Sequence, residues 1–142
     1  FAGAFGYIMT LMQIPSKITG MFLTLSDNRY VILMCINFML LGLGTLMDMA
    51  PLILILTPIL MPVITGIGVD PVHFGMIMLV NLGIGLITPP VGAVLFVGAA
   101  IGKVTIEETV KALLPFYAAL FMVLMAVTYI PAISLWLPSV VL

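Results

Sequence analysis

Charge is what this sequence has least of. Four Lys and Arg and five Asp and Glu, nine in all, are spread over 142 residues, so charged residues are 6% of the chain. A soluble domain carries roughly 25%, because it must present a solvated surface. Nine charges cannot cover a water-facing surface, and the surroundings expected for this chain are lipid. The net charge of −1 comes without a basic run, which argues against nucleic acid or an anionic membrane surface as partner. Cysteine is nearly absent. Cys35 alone excludes an intramolecular disulfide and a paired-cysteine metal site. Set in an apolar run, it reads as a buried structural thiol, since free Cys packs as a small hydrophobe. The single histidine, His73, has only Asp70 at ligand spacing, so no metal centre is expected around it. No nucleophile–base pair, phosphate-cradling loop or metal-ligand spacing is present, and the chain does not read as an enzyme or an ATP-driven pump.

Apolar residues make up 64% of the chain, broken by 13 Gly and 10 Pro. A helix needs about 20 apolar residues to cross the hydrocarbon core. The opening Phe-Ala-Gly-Ala-Phe has no Met and no basic stretch. Residues 1–14 therefore read as the end of a hydrophobic helix, and the sequence as the C-terminal part of something longer. Pro15 closes that piece. In residues 16–28, Ile18, Met21, Phe22 and Leu25 recur at helical spacing beside Lys17 and Asp27, which suggests an interfacial helix. Residues 1–29 form the first segment on this reading.

Ser26-Asp27-Asn28 form a capping cluster ahead of an apolar run over residues 30–46, interrupted by Gly42 and Gly44. Up to Gly42 this run is about a dozen residues, or roughly 20 Å of helix. A second apolar run begins near Pro51, carries Pro58 and Pro62, and stops at Gly66-Ile67-Gly68. Two short runs joined by a Gly- and Asp-containing turn suggest a re-entrant helical hairpin over residues 30–66, with two ordinary spanning helices as the alternative. Asp70 is placed to cap the next helix. Residues 67–102 then read as one membrane crossing broken at its centre, because Thr88-Pro89-Pro90 cannot continue a helix. Residues 103–142 begin with the chain's one charged stretch, where Thr105 and Glu108 form a capping box and Glu107 and Lys111 stand four apart. They end in a long apolar helix over residues 113–137, bent at Pro131, with Tyr129 and Trp136 suited to headgroup level.

Non-helical backbone at membrane depth survives only around a cavity or inside protein. Two such places stand out, residues 42–48 and 85–92. Carbonyls freed by a broken helix are hard ligands suited to Na⁺, and half-helix N-termini suit an anion. Asp48, a carboxylate away from the evident polar turns, either compensates a bound cation or caps the helix near Pro51. The hydroxyls of Thr45 and Thr88 could add ligand oxygens or bond back to their own helices, and Asn81 could brace the break. The glycines could also serve only close helix packing, which would make the chain a non-transporting membrane module.

The run Leu41-Gly42-Leu43-Gly44-Thr45-Leu46-Met47-Asp48-Met49-Ala50-Pro51 resembles the large membrane subunit of tripartite ATP-independent periplasmic (TRAP) transporters. So do Thr57-Pro58-Ile59-Leu60-Met61-Pro62, Gly68-Val69-Asp70-Pro71-Val72-His73-Phe74-Gly75 and Asn81-Leu82-Gly83-Ile84-Gly85-Leu86-Ile87-Thr88-Pro89-Pro90-Val91-Gly92. The resemblance implies an all-α polytopic protein of the bacterial inner membrane. This chain would be the C-terminal repeat of an elevator-type transporter, with a re-entrant hairpin and a broken transmembrane helix. It implies Na⁺-coupled uptake of an organic acid of the C4-dicarboxylate or sialic acid type, with another ion-coupled anion transporter or antiporter of related fold as the nearest alternative. The implied partners are a small membrane subunit, a periplasmic substrate-binding protein and the first repeat of the same permease. Carried over by position, Gly42, Gly44, Asp48, Thr88, Pro89 and Gly92 would surround Na⁺, and Thr45, Thr88 and Pro90 the substrate.

Overall fold

The computed structural model describes residues 4, 7–8, 11–25 and 28–141. Half of the expected helix over residues 1–14, and two members of the expected capping cluster, Ser26 and Asp27, lie outside the described residues. Among those described, the chain folds into α1 (Ile14–Leu25), α2 (Arg29–Leu46), α3 (Met49–Gly66), α4 (Pro71–Leu86), α5 (Ala93–Gly102), α6 (Ile106–Tyr129) and α7 (Pro131–Val141).

Local chemistry sets most of these ends. The Asn28 side chain accepts from the Tyr30 N–H at 3.0 Å and starts α2. Asp48 accepts from the Met49 N–H at 2.9 Å and starts α3, and Asp70 accepts from the Val72 N–H at 2.8 Å and starts α4. Each occupies one of the donors that a helix start leaves without an internal partner. Gly68, at φ +74°, reverses the chain after α3, so that the Gly68 and Val69 N–H groups return to the Thr65 and Ile64 carbonyls. At α6, Thr105 and Glu108 form the expected reciprocal capping box, and Lys111 pairs with Glu107 at 3.0 Å.

Three expectations change. α2 does not stop at Gly42 but runs through both glycines to Leu46, and α3 begins at Met49 rather than Pro51. At 18 residues each, they are about 27 Å long. A glycine permits a break without forcing one, and a backbone in lipid keeps its helical bonds unless they are replaced. Shortness therefore gives no support to a hairpin: α2, α3 and α6 are each long and apolar enough to cross a membrane. The last helix also differs, since the capping box starts α6 at Ile106 and the chain leaves helical geometry at Ile130 (φ −116°, ψ 88°). Pro131 disfavours the α conformation in the residue before it, so the expected bend is a separation of α6 from α7. Cys35, finally, is exposed rather than buried. α2 buries the face of Ile32, Leu33, Ile36, Asn37, Leu40 and Gly44, and Cys35 lies off that face.

α2 and α4 are the central pair and run parallel, with Asn37 against Asn81 and Gly44 against Gly85. Phe74, Ile77 and Leu82 of α4 and Ile36 and Leu40 of α2 fill the core between them. α1 packs on α3, while α6 and α7 pack on α4. Arg29 and Tyr30 at the start of α2, Gly68 to Asp70 between α3 and α4, and Pro131 after α6 line one cavity of about 220 Å³. The start of α2, the end of α3, the start of α4 and the end of α6 thus share one end of the bundle.

Candidate ion and substrate site at the helix break

At the opposite end of the α2–α4 pair, the last turn of α2 meets the break that follows α4. Gly44 and Gly85 make the approach possible, because a Cβ on Gly85 would stand 2.6 Å from the Gly44 carbonyl carbon and 2.8 Å from its Cα. Glycine is required at position 85, whereas a Cβ on Gly44 would come no nearer than 3.2 Å, to a Leu82 side-chain end. One residue further on, the Thr45 carbonyl accepts from the N–H groups of Val91 (3.2 Å) and Gly92 (3.4 Å). The end of α2 is thereby tied to the entry of α5 by main-chain bonds.

The break occupies residues 87–92. Thr88 N–H returns to the Gly85 carbonyl at 3.0 Å and Ile87 N–H to that of Ile84 at 3.2 Å, which closes α4. The Thr88 hydroxyl donates to the Ile84 carbonyl at 2.7 Å and the Thr45 hydroxyl to that of Gly42 at 2.8 Å. Both hydroxyls bond back to their own helices, one of the two roles expected of them, and each keeps acceptor capacity on its oxygen. Pro89 and Pro90, joined by a cis peptide bond, turn the chain. Gly92 then takes φ +41°, and a Cβ there would lie 2.9 Å from the Thr88 carbonyl oxygen and 3.2 Å from that of Leu86. Two carbonyl oxygens therefore converge on the space that Gly92 leaves empty. No side chain caps α5 at Gly92, so the first-turn N–H groups of α5 face the break.

The depth of this arrangement follows from α6. Tyr117 donates its phenolic hydrogen to the Ile87 carbonyl, and Tyr117 is the twelfth of the 24 residues of α6. With α6 about 36 Å long, the break lies level with its middle.

Of the residues expected at the site, the structure brings together Gly44, Thr45, Thr88 and Gly92. Pro89 and Pro90 belong to the break itself but are exposed. A Cβ on Gly42 would meet nothing within 4 Å, and Asp48 is exposed and caps α3. The chain alone encloses neither of these two. Sequence reasoning missed Tyr117, whose hydroxyl finds its partner 30 residues away. It also missed a buried polar cluster that crosses three helices. Asn81 donates to both the main-chain carbonyl and the side-chain oxygen of Asn37, each at 2.9 Å. Asn37 donates to the Thr128 hydroxyl at 2.9 Å, Thr128 donates to the Leu124 carbonyl, and His73 Nε2 stands 3.3 Å from the Thr128 carbonyl. Asn81 thus braces α4 against α2. The lone polar residue Asn37 within an apolar run was the signal available for this cluster.

The donor set suits a small hard cation. Two carbonyl oxygens, of Leu86 and Thr88, converge beside Gly92, and no cluster of three His, Cys, Asp or Glu occurs among the described residues.

Comparison with known proteins places these features in a lineage. Residues 1–133 match the family described as tripartite ATP-independent periplasmic transporter, DctM component. The isethionate TRAP transporter permease of Oleidesulfovibrio alaskensis is 47% identical over 135 residues, 95% of this chain and 21% of that protein. The C4-dicarboxylate TRAP transporter large permease of Pseudomonas aeruginosa is 43% identical over 135 residues, 95% of this chain and 32% of that protein. The sialic acid TRAP transporter large permease of Vibrio cholerae is 41% identical over 138 residues, 97% of this chain and 32% of that protein. The chain spans about a third, or less, of the length of these relatives.

Proposed function

This chain belongs to the DctM-component family of tripartite ATP-independent periplasmic transporters, and from that premise we propose that it forms one half of the ion and substrate site of a Na⁺-coupled organic-anion importer. The observation that carries the reading is the junction of Thr45 with Val91 and Gly92, beside the converging Leu86 and Thr88 carbonyls. Broken helices near the bilayer midplane, with carbonyls for a cation and N–H groups for an anion, are the recurrent architecture of secondary transporters. Here the Leu86 and Thr88 carbonyls would hold Na⁺, with Thr45 and Thr88 hydroxyl oxygens within the same break. The uncapped first turn of α5 would face the anionic group of the substrate.

The relatives are named for isethionate, sialic acid and C4-dicarboxylates. Each carries an acidic group, and a small organic anion is the class we assign. α2 and α3 form a re-entrant hairpin on this reading, since their outer ends share the Arg29–Asp70 cavity while Thr45, near their junction, meets the break. The rest of the permease supplies the other half of the site and moves with it as an elevator. A small membrane subunit and a periplasmic binding protein complete the transporter in the inner membrane.

Thermal unfolding of the intact permease, with NaCl titrated against KCl at constant ionic strength, tests the ion site. A ligand bound only by the folded state stabilises it by about 2.7 kcal/mol at a hundredfold excess over Kd. The expected result is a saturable rise with Na⁺ and none with K⁺. Gly92→Ala, which places a methyl group in the carbonyl cradle at a positive φ, is expected to abolish the difference between the salts. Equal curves for the two salts in the wild type would remove Na⁺ coupling from the reading.

A further inference from the structure

Tyr117 is an unusual member of an otherwise apolar stretch of α6. Its neighbours Leu114, Phe116, Phe121 and Met122 are exposed to the surroundings of the chain, but the Tyr117 ring is half-buried and its hydroxyl turns inward. The one hydrogen it can donate goes to the Ile87 carbonyl, the first carbonyl beyond the end of α4. At this depth a freed carbonyl without a partner costs several kcal/mol. Tyr117 satisfies that demand from another helix, with no local residue taking part.

The bond also fixes an orientation. The Ile87–Thr88 peptide unit is held on both sides, with its carbonyl on Tyr117 and its N–H on the Gly85 carbonyl at 3.0 Å. Pinning that plane fixes the N-terminal side of Thr88, so that only the two dihedrals of Thr88 itself stand between the anchored peptide and the Thr88 carbonyl. The Thr88 carbonyl is one of the two that converge beside Gly92. The same anchored peptide keeps the Thr88 hydroxyl against Ile84. The tyrosine stands outside the cradle and acts on it through the anchored peptide and the Thr88 backbone that follows it.

We propose that Tyr117 is a positioning residue for the cation site, aiming the Thr88 carbonyl by anchoring the Ile87–Thr88 peptide. The proposal rests on the reading of the break as a Na⁺ site and deepens it. Preorganised oxygens bind a cation without first reorienting, so loss of the anchor weakens Na⁺ binding while leaving every ligand in place.

Tyr117→Phe keeps the ring and its packing and removes the hydroxyl. In the intact transporter reconstituted in liposomes, the variant is expected to need about two- to tenfold more Na⁺ for half-maximal uptake, the range spanned by one net hydrogen bond. The maximal rate at saturating Na⁺ and the substrate KM there are expected to stay near wild type. Thermal unfolding in KCl is expected to be close to that of wild type, with the Na⁺-specific rise displaced to higher concentration. An unchanged Na⁺ dependence, in a wild type that shows saturable Na⁺ dependence, overturns the role of Tyr117 and leaves the ion site standing. Equal loss of thermal stability in both salts, with no displacement of the Na⁺ curve, overturns it too and makes the bond merely structural. A wild type indifferent to Na⁺ removes the underlying reading as well. Should the Phe variant be too unstable to purify, uptake by whole cells carrying Tyr117→Phe is the second measurement, and a Na⁺ dependence unchanged there overturns the proposal.

Discussion

Glycines with the same local sequence do different work in this chain. Gly83 and Gly85 are two residues apart on α4, yet a Cβ at Gly83 meets nothing within 4 Å, while one at Gly85 would strike the Gly44 backbone at 2.6 Å. A side-chain end can swing aside, but a helix backbone cannot do so alone. Gly85→Ala is therefore expected to push α2 from α4 and cost about 1–3 kcal/mol, as overpacking does. Gly83→Ala is expected to be neutral or to stabilise by up to about 1 kcal/mol, from helix propensity alone. Unfolding midpoints of the two variants, measured side by side in detergent, check this, and equal effects would show that the Gly44–Gly85 approach is not the tight contact described. None of this could be read from the sequence, where Gly42, Gly44, Gly83 and Gly85 look alike. In lipid, an apolar helix carries no polar face to mark which side is buried. The same cause misplaced Cys35, which lies on the outer side of α2.

At the level of helices, the legible features were those set by local chemistry. Asn28 stood in an expected capping cluster, Asp70 and Thr105 were expected caps, and capping was one of the two roles open for Asp48; all four cap. Pro89-Pro90 announced the break, because two residues without N–H groups end a helix whatever surrounds them. Pro58, Pro62 and Pro115, by contrast, lie inside continuous helices. What remained hidden were partnerships across helices, of which the Asn37–Asn81–Thr128 cluster is the largest. It ties α2, α4 and α6 at one level, in surroundings where water offers no alternative partner. Interhelical polar bonds in membranes nevertheless average only about 0.6 kcal/mol and reach about 1.7, because the separated helices also find partners. A double-mutant cycle of Asn37→Ala with Thr128→Val is expected to give a coupling toward the upper end of that range, since both groups are buried and bonded at 2.9 Å. A coupling indistinguishable from zero would mean that apolar packing alone holds α6 on the pair.

On the scale of the molecule, the open choice is between a hairpin and two spanning helices. Both place Arg29 and Gly68 on one side of the membrane, so those residues cannot decide it. The discriminating point is the junction between α2 and α3. Two spanning helices put Met47 at the far membrane surface, on the same side as Val104 in the turn that precedes α6. The hairpin puts Met47 in the interior, level with Tyr117, because Thr45 is bonded to a break that itself meets the middle of α6. Met47 and Val104 are similarly exposed in this chain, at 47% and 49%, so their intrinsic accessibilities are matched. With Cys35 and any other cysteine of the permease replaced, single cysteines at Met47, Gly68 and Val104 can be treated with a membrane-impermeant maleimide from either side of sealed vesicles. Thiolate chemistry needs water, so reaction reports hydration as well as side. Gly68→Cys and Val104→Cys are expected to react from opposite sides. Met47→Cys is expected to react slowly, and more slowly still with Na⁺ and substrate present, since the ligands would occupy the space at the tip. Reaction of Met47→Cys as fast as Val104→Cys, from the same side and without regard to ligands, would make α2 and α3 ordinary spanning helices. The Thr45–Gly92 junction would then lie near the membrane surface, where carbonyls can be hydrated and a dehydrated ion site has no physical need to exist.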